Sequence, residues 1–444
     1  MKKNFLIFLF VVIASLTACD SGVKEVKVEA QVYHATMDKL SDIIVHDIFS
    51  PPVASRIYAY PSIAMYEVLA QENADYKSLA GQLTELESIP QPETEVSHEL
   101  AALEAFIKIG TALIFSEADM DEYREALYED LGEGGNKKYF EASVAYGGQV
   151  ADHILKWADG DMYKQTRTYP KFTVTDDEDR WQPTPPGYFE AIEPHWTQIR
   201  PFAIDSSTQF VPERPTEFDM NKNSQFYKEV MEVYEVGNNL TEEQKEIASF
   251  WDCNPYVMNV TGHVMAATKK ITPGGHWIGI VKIACEKAQA DPMKSAEAYA
   301  LTSIALADGF ISCWDEKFRS NLIRPETIIN EYIDEEWLPL LQTPPFPEYT
   351  SGHSVISNAA AVALTSVFGE NFSFEDTTEE KYGLPVRSFD SFIHASEEAA
   401  ISRLYGGIHY MPAIENGVTQ GRKLGTYVVD KLELKNEAMA SNKE

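Results

Sequence analysis

Apolar residues along most of the chain recur every three or four positions, which is the period of one face of an α-helix. One such stripe consists of Met37, Leu40, Ile43, Ile44 and Ile48. The same spacing runs through residues 53–71, 98–116, 137–157, 241–252, 293–313, 354–368 and 415–434. Strict alternation of apolar and polar residues, which is typical of half-buried strands, is scarce. The pattern therefore predicts an all-α fold of bundled helices.

The helical pattern is interrupted between residues 165 and 240, where prolines recur among aromatic residues that include Trp181 and Trp196. Proline forbids a long helix, whereas the aromatic side chains offer area to bury, so we expect an irregular but ordered excursion. The helical pattern resumes at Thr241, which forms a capping-box pattern with Gln244. This division predicts an N-terminal helical half over residues 32–240 and a C-terminal helical half over residues 241–444.

The N-terminus has the pattern of an export signal. Two lysines precede an apolar run over residues 5–14, and Leu-Thr-Ala-Cys closes it at Cys19. This ending resembles the lipobox of bacterial lipoproteins, which implies a signal peptide over residues 1–19 and a lipid on the Cys19 thiol. An ordinary secretory signal or a short membrane anchor is the alternative. We then expect residues 20–31 to be a polar tether, and the protein to be exported and lipid-anchored at the periplasmic or outer face of a bacterial membrane.

The composition is that of a packed globular protein, with 44% hydrophobic and 24% charged residues among 444. Asp and Glu number 69 against 37 Lys and Arg, which gives a formal net charge of −32. A surface so acidic repels polyanions, so we expect no nucleic-acid partner.

Neither cysteine chemistry nor a common metal- or phosphate-binding motif accounts for a function of this chain. Cys253, Cys285 and Cys313 have no C-x-x-C spacing, and we interpret each as a small buried residue rather than a reactive thiol. The sequence also lacks the H-E-x-x-H zinc motif, the G-x-x-x-x-G-K phosphate loop and the G-x-S-x-G nucleophile motif. A zinc hydrolase or a nucleotide-binding enzyme is therefore not expected.

Three short clusters in the C-terminal half carry candidate chemistry. They are Lys317-x6-Arg324-Pro325, Ser351-Gly352-His353 and Ser402-Arg403-x5-His409. Singly, each has a plain structural explanation as solvated charges, a helix cap or a hydrogen-bonded histidine. Together they supply cations, a hydroxyl and a helix N-terminal amide, which bind tetrahedral oxyanions, and two histidines able to bond a central atom or move protons. The combination predicts an anion pocket within an acidic protein.

The order and spacing of these clusters resemble a signature shared by vanadium-dependent haloperoxidases and the type 2 phosphatidic acid phosphatase superfamily. That signature reads Lys-x6-Arg-Pro, Pro-Ser-Gly-His and Ser-Arg-x5-His-x3-Asp, and residues 50–69 also look like the helical frame of the soluble bacterial members. Two positions differ, because Thr350 replaces the proline and Ala413 stands where the phosphatases have an aspartate that orients the second histidine. We expect Asp252 to supply that acid from an earlier helix, unless it is only a helix cap or a surface acid.

The resemblance implies a role for each matching residue. The groups that would hold the equatorial oxygens of vanadate are those of Lys317, Arg324, Ser351, the Gly352 amide and Arg403. His409 would be the axial vanadium ligand, His353 the acid or base that handles peroxide, and Lys317 a group that polarises the bound peroxide. We call this set of anion-binding groups the cradle, and phosphate would occupy it in the absence of vanadium.

The implied activity is oxidation of iodide, bromide or chloride by hydrogen peroxide to hypohalous acid. One alternative is an acid phosphatase on the same cradle, with His409 attacking phosphorus and His353 protonating the leaving oxygen. Another is a catalytically degenerate lipoprotein that binds phosphate or vanadate at the surface. The long N-terminal half, the lack of membrane helices and the missing acid at position 413 favour the peroxidase.

Further residues are candidates for the halide pocket. Trp314 and Phe346 occupy positions where soluble haloperoxidases place such residues, and the pair resembles the chloroperoxidase type, although both could be ordinary core. Additional pocket candidates are Tyr256, Asp315, His276 and Trp277, with Asp315 favoured because it lies two positions from Lys317. Exported bacterial proteins of this appearance also resemble iodoperoxidases, so the sequence leaves the halide open, together with the organic acceptor and the oligomeric state.

Overall fold

The structure is a computed structural model that describes residues 26–132, 136–261, 264–267 and 269–436. The predicted signal peptide over residues 1–19, with Cys19, lies outside the described residues. Within them, none of the helices combines the length and hydropathy of a membrane span.

Helices account for most of the ordered backbone, which confirms the all-α prediction. In the first half of the chain they are α1 (Ala30–His46), α2 (Pro51–Glu72), α3 (His98–Leu113), α4 (Glu117–Gly132), α5 (Lys137–Asp159) and α6 (Tyr163–Thr166). The later helices are α7 (Gln225–Asn238), α8 (Glu242–Phe250), α9 (Pro273–Lys287), α10 (Pro292–Ser320), α11 (Pro325–Tyr332), α12 (Gly352–Phe368), α13 (Phe392–Tyr405) and α14 (Met411–Lys431). Two small antiparallel hairpins pair β1 (Met258–Thr261) with β2 (Val264–Ala267) and β3 (Phe374–Asp376) with β4 (Arg387–Phe389).

The capping box at the start of α8 forms as predicted. The Thr241 hydroxyl accepts from the Gln244 amide at 3.2 Å, and the Gln244 side-chain oxygen accepts from the Thr241 amide at 2.9 Å. Both bonds satisfy amides that a helix leaves without intrahelical partners, so the helix begins where the pattern indicates.

The centre of the molecule is built from helices that are apolar on nearly every side. α10 packs against α2 and α12, and α12 packs in turn against α13 and α14. The approach of α14 to α12 depends on glycine, because a Cβ added at Gly421 would overlap the carbonyl oxygen of Val355. One apolar core runs from Val26 to Leu434 and therefore includes residues of both halves of the chain. This packing holds the ends of α10, α12 and α13 close together.

The proline-rich excursion is irregular over residues 167–224 apart from one 3-10 turn at Trp196–Gln198, as the prolines predict, and its tryptophans are buried. Trp181 and Trp196 are among the fully buried side chains. Its last part differs from the prediction, because α7 forms within residues 165–240. The reason is an amphipathic stripe in which Phe226, Val230 and Val233 are buried behind a Ser224 cap.

The polar tether expected over residues 20–31 is wrong for its described part. Val28 is fully buried and Val26 nearly so, and α1 already begins at Ala30. The Val28 amide donates to a Glu99 carboxylate oxygen at 2.8 Å, and the Ser97 hydroxyl donates to the Val26 carbonyl at 2.8 Å. These apolar side chains gain more from packing against α3 than from solvation, so the segment joins the folded body.

Candidate active site

Four chain segments bring the three clusters together at one point. Lys317 lies in the last turn of α10, and Arg324 is the N-cap residue of α11. Ser351 caps the start of α12, while Arg403 lies near the end of α13 and His409 in the loop before α14. All five side chains are buried. The predicted residues therefore share one interior site, although they are separated by up to 92 positions in the printed sequence.

The start of α12 offers donors to an anion. The Ser351 hydroxyl oxygen accepts from the Ser354 amide at 3.3 Å, which leaves its hydrogen for another acceptor. Gly352 is the first helical residue, and the amides of a first helical turn have no carbonyl partner within the helix. The positive end of the helix dipole adds to both donors. The Ser351 amide donates to the Ala413 carbonyl at 3.0 Å, which fixes α12 against the start of α14.

Two arginines bring positive charge into the site. Arg324 donates through Nε to the Phe346 carbonyl at 2.9 Å and through Nη1 to the Ile408 carbonyl at 2.8 Å, while its buried Nη2 has no hydrogen-bond partner. Arg403 donates through Nη2 to the Trp251 carbonyl at 2.8 Å. Burial lowers the pKa of both guanidinium groups to about 10, so both remain charged near neutral pH.

Lys317 supports the loop that leads into α12. Its ammonium donates to the carbonyls of Pro347 and Glu348 at 3.0 Å and to that of Thr350 at 2.6 Å. Burial lowers the pKa of Lys317 to about 7. Since an ammonium has three hydrogens, the loop carbonyls engage all of them in this arrangement. The role of Lys317 toward an anion or a peroxide stays a prediction.

His409 has one defined tautomer. Its Nδ1 lies 2.8 Å from Glu348 Oε1, and its Nε2 lies 3.3 Å from Arg324 Nη1. A guanidinium can only donate, so Nε2 must carry a lone pair and Nδ1 must hold the hydrogen that Glu348 accepts. Burial, with Arg324 as the next cause, lowers the pKa of His409 well below its ordinary value. The residue therefore presents an unprotonated Nε2 to the site at neutral pH.

Glu348, and not Asp252, is the acid that orients His409. Asp252 Oδ2 lies 2.5 Å from the Lys270 ammonium, so the expectation that Asp252 replaces the acid missing at Ala413 is wrong. Glu348 Oε1 also accepts from the Tyr410 amide at 3.0 Å, and burial raises the pKa of Glu348 to about 7. Asp252 still lines the pocket in front of the site.

His353 has a free ring nitrogen that faces no protein partner. Its Nε2 is buried without a hydrogen bond, and the ring is hydrogen-bonded to the backbone of Trp251. Burial, reinforced by the charge of Arg403, lowers the pKa of His353 well below its ordinary value. A neutral imidazole with an unused nitrogen can accept a proton from a molecule that enters the site.

A pocket of about 530 Å³, part of it open to solvent, leads to these groups. Its lining includes His353, Arg403 and His409, together with residues that the sequence placed in the halide pocket, namely Trp314, Phe346 and Tyr256. The Trp314 and Phe346 rings are tilted against each other, with centroids 5.0 Å apart. The pocket also includes residues that the sequence did not single out, among them Phe310, Gln342 and Ile408.

Asp315 does not face this pocket. Two positions along an α-helix differ by about 200°, which places Asp315 on the face opposite Lys317. On that face its carboxylate forms an ion pair with Arg319 at 3.1 Å. His276 and Trp277 are buried outside the pocket lining. His276 contacts Asp376, and the Trp277 indole donates to the Ser357 hydroxyl at 2.8 Å. These three pocket expectations are therefore wrong.

Known proteins resemble the chain in both sequence and structure. The family model for the VCPO second helical-bundle domain matches residues 297–437. A bacterial vanadium-dependent iodoperoxidase of solved structure is 56% identical, with a TM-score of 0.89 over 93% of this chain and 98% of that chain. No curated protein matches the chain.

Two further structures show the same fold at low identity. The holo form of a bacterial vanadium-dependent chloroperoxidase is 17% identical, with a TM-score of 0.68 over 87% of this chain and 93% of that chain. The apo form is 16% identical, with a TM-score of 0.66 over 86% of this chain and 94% of that chain. Because the iodoperoxidase shares more than half of its residues over nearly its whole length, the chain belongs to the vanadium-dependent haloperoxidases.

Proposed function

We propose that this haloperoxidase oxidises iodide with hydrogen peroxide, releasing hypoiodous acid and water, with vanadate as its cofactor. The observation that carries the proposal is the His409 geometry, in which Glu348 fixes an unprotonated Nε2 beside buried cations. The choice of iodide is supported by the 56% identity to an iodoperoxidase. The two-electron oxidation consumes one iodide, one hydrogen peroxide and one proton.

The residues present fit vanadate. A tetrahedral oxyanion needs several fixed donors, and the site has the unpartnered Nη2 of Arg324, the free hydroxyl hydrogen of Ser351 and the Gly352 amide. Arg403, which lines the pocket, adds a second buried guanidinium. The lone pair of His409 Nε2 would bind the central atom in place of its 3.3 Å hydrogen bond from Arg324 Nη1, because a metal-binding histidine usually donates its other N–H to a carboxylate.

The reaction needs activated peroxide and proton transfer, and the chain contributes chiefly to the second. Vanadate, when bound, supplies a Lewis-acidic vanadium(V) centre that activates peroxide without a change of oxidation state. His353 Nε2 accepts a proton from entering hydrogen peroxide, since it is neutral and has no protein partner. The charged and buried guanidinium groups of Arg324 and Arg403 offset the negative charge of a bound oxyanion.

The pocket wall suits a large and weakly hydrated anion. The Phe346 ring lies beside cations, with its centroid 5.0 Å from Lys317 Nζ and 5.1 Å from Arg324 Cζ. Desolvating an ion costs less as its radius grows, so iodide enters an aromatic pocket more readily than bromide or chloride. Iodide is also the easiest of the three halides to oxidise. The aromatic pair that resembled the chloroperoxidase type is therefore compatible with iodide.

The test is halide oxidation by the purified protein, after removal of bound vanadium and with or without added orthovanadate. We expect triiodide formation that depends on vanadate and peroxide, with kcat/KM for iodide at least ten times that for bromide. A parallel assay measures release of p-nitrophenol from its phosphate ester. Phosphate ester hydrolysis without halide oxidation would overturn the proposal in favour of the phosphatase alternative. Faster turnover of bromide than of iodide would overturn the choice of iodide.

We also propose that the protein is exported and carries a lipid on Cys19. The support is the sequence pattern over residues 1–19, together with the packing of Val26 and Val28 against the body. Seven steps of chain separate Cys19 from Val26, so a lipid on that thiol would hold the body within roughly 25 Å of the membrane. Mass spectrometry of the membrane fraction should detect the lipid on Cys19, and Cys19→Ser should abolish that modification. A membrane fraction in which Cys19 carries no lipid would contradict the proposal.

A further inference from the structure

A second cluster of metal-ligating side chains lies behind the pocket wall. Cys253 follows α8, His276 lies in the first turn of α9, and Glu379 follows β3. Cys253 Sγ lies 3.5 Å from His276 Nδ1 and 3.9 Å from Glu379 Oε1, and His276 Nδ1 lies 3.2 Å from Glu379 Oε1. All three side chains are buried. Segments distant in sequence thus place a thiol, an imidazole and a carboxylate around a common point.

The spacing of these three atoms matches a tetrahedral ion site. Zinc binds thiolate sulfur at about 2.3 Å and imidazole nitrogen or carboxylate oxygen at about 2.0 Å. Tetrahedral angles then separate the sulfur from either other ligand by roughly 3.5 Å, and the nitrogen from the oxygen by roughly 3.3 Å. The observed separations of 3.5, 3.9 and 3.2 Å lie within a few tenths of an ångström of those values. One ion can therefore contact all three groups with little movement.

The surroundings of His276 are those of a metal-binding histidine. Its Nε2 lies 2.8 Å from Asp376 Oδ2, and Asp376 is held by Thr378, whose amide and hydroxyl donate to Oδ1 at 3.0 and 2.6 Å. A hydrogen bond from Nε2–H to this carboxylate leaves Nδ1 as the ligand atom, and such carboxylates orient metal-binding histidines. The Trp251 ring stacks on the imidazole at 4.5 Å between centroids, which fixes the plane of the ring.

An ion pair without metal is the competing explanation. Burial lowers the pKa of His276, but Asp376 and Cys253 outweigh it and raise that pKa well above its ordinary value. A charged imidazole would donate to Asp376 and Glu379, which uses both of its N–H groups. In this arrangement the Cys253 thiol makes only a long hydrogen bond to Glu379 Oε1, at 3.9 Å, whereas a metal ion binds all three groups directly.

We propose that Cys253, His276 and Glu379 bind a divalent metal ion, with zinc the best fit to the mixed sulfur, nitrogen and oxygen ligands. The site is distinct from the vanadate cradle, and a water molecule completes its tetrahedron. Cys253 also lines the active-site pocket together with His353 and Arg403. The ion therefore ties this part of the pocket wall to α9 and to the segment after β3. Binding releases the thiol proton, and the Nδ1 proton as well where the imidazole is charged.

The experiment measures metal binding to the full chain rather than turnover. Protein stripped with a chelator is titrated with zinc chloride alone, and its zinc and vanadium contents are measured in the same sample by mass spectrometry. A parallel titration with cobalt chloride follows the thiolate-to-cobalt absorption band. Cys253→Ser and Glu379→Gln remove one ligand each. Cys285→Ser is the matched control, because Cys285 is another buried free cysteine and lies outside the cluster.

We expect one equivalent of zinc per chain, an intense cobalt–thiolate band and a rise in melting temperature on zinc addition. Cys253→Ser should lose the band and at least 90% of the zinc, Glu379→Gln should weaken binding tenfold or more, and Cys285→Ser should behave like the unmodified chain. Circular dichroism checks that each variant is folded. Zinc content no higher than that of folded Cys253→Ser, or an unmodified chain without the cobalt band, would overturn the metal site and leave the ion pair.

Discussion

The substitution Glu348→Gln tests how the site prepares His409. Glu348 Oε1 accepts from His409 Nδ1 at 2.8 Å and from the Tyr410 amide at 3.0 Å. Glutamine keeps the size of the side chain and an acceptor oxygen, but it removes the negative charge that Glu348 carries above its pKa of about 7 and that makes the imidazole more basic. A hydrogen bond to a charged group contributes about 1.5–3 kcal/mol, and about 1.4 kcal/mol corresponds to a factor of ten. We therefore expect vanadate affinity to fall about 10- to 100-fold.

The assay is equilibrium dialysis of orthovanadate against the folded variant, with bound vanadium measured by mass spectrometry. Glu104→Gln is the control, because Glu104 is also a buried carboxylate in a charged hydrogen-bond network. It accepts from Arg124 Nε at 2.8 Å, but it lies on α3 and not at the site. That variant should lose stability and keep its vanadate affinity. Affinity within threefold of the unmodified chain in folded Glu348→Gln would refute the orienting role of Glu348.

Three further predictions concern stability. Burial lowers the pKa of His34 from 6.5 to about 4, so its contribution of roughly 3 kcal/mol to the free energy of unfolding is present above pH 6.5 and is lost as the pH falls toward 4. The urea midpoint of His34→Gln should therefore fall less steeply over that pH range than the midpoint of the unmodified chain. Gly421→Ala should force α14 away from α12 and lower the free energy of unfolding by about 1–3 kcal/mol. Gly148→Ala is the control and should leave that free energy unchanged, because its added Cβ meets only a lysine ammonium at 3.7 Å. Equal urea midpoints for the two variants would contradict the prediction. Thr350→Val removes the hydroxyl that donates to Gln420 at 2.7 Å and should cost about 1–3 kcal/mol in thermal unfolding, so an unchanged melting temperature would contradict that bond.

The sequence singled out the site residues that belong to short motifs. Ser351 has the local signature of a helix cap, and the Lys317-x6-Arg324-Pro325 spacing places one cation at the end of a helix and the other at the start of the next. The helices themselves followed from the period of their apolar residues, because burial of one face dominates their stability. The helical period was therefore sufficient for the fold class, whereas the roles given to the cradle residues depend on the resemblance of the three clusters to the haloperoxidase signature.

The partner of His409 could not be predicted in this way. Glu348 lies 61 positions before His409, in an irregular segment without periodicity, and only tertiary packing brings the two together. Asp252 was a reasonable alternative in sequence, but a nearby lysine neutralises it. Asp315 shows the converse error, because nearness to Lys317 along a helix placed it on the wrong face.

In the proline-rich excursion, a helical stripe of apolar residues follows the prolines. The prolines of this segment end at Pro215, and the apolar stripe of Phe226, Val230 and Val233 follows them within the predicted range of residues 165–240. That stripe has the helical period and was visible in the sequence. The burial of Val28 was harder to predict, because two valines among charged residues do not indicate which surface they cover.

Orthovanadate binding to His409→Ala and His353→Ala, in the absence of peroxide, tests the central claim most directly. His409 provides the lone pair for the central atom, whereas His353 only handles protons, so the two losses should differ. We predict that His409→Ala binds no measurable vanadate, and that His353→Ala binds it but loses at least 99% of iodide turnover. Equal vanadate binding by folded His409→Ala and the unmodified chain would contradict the account.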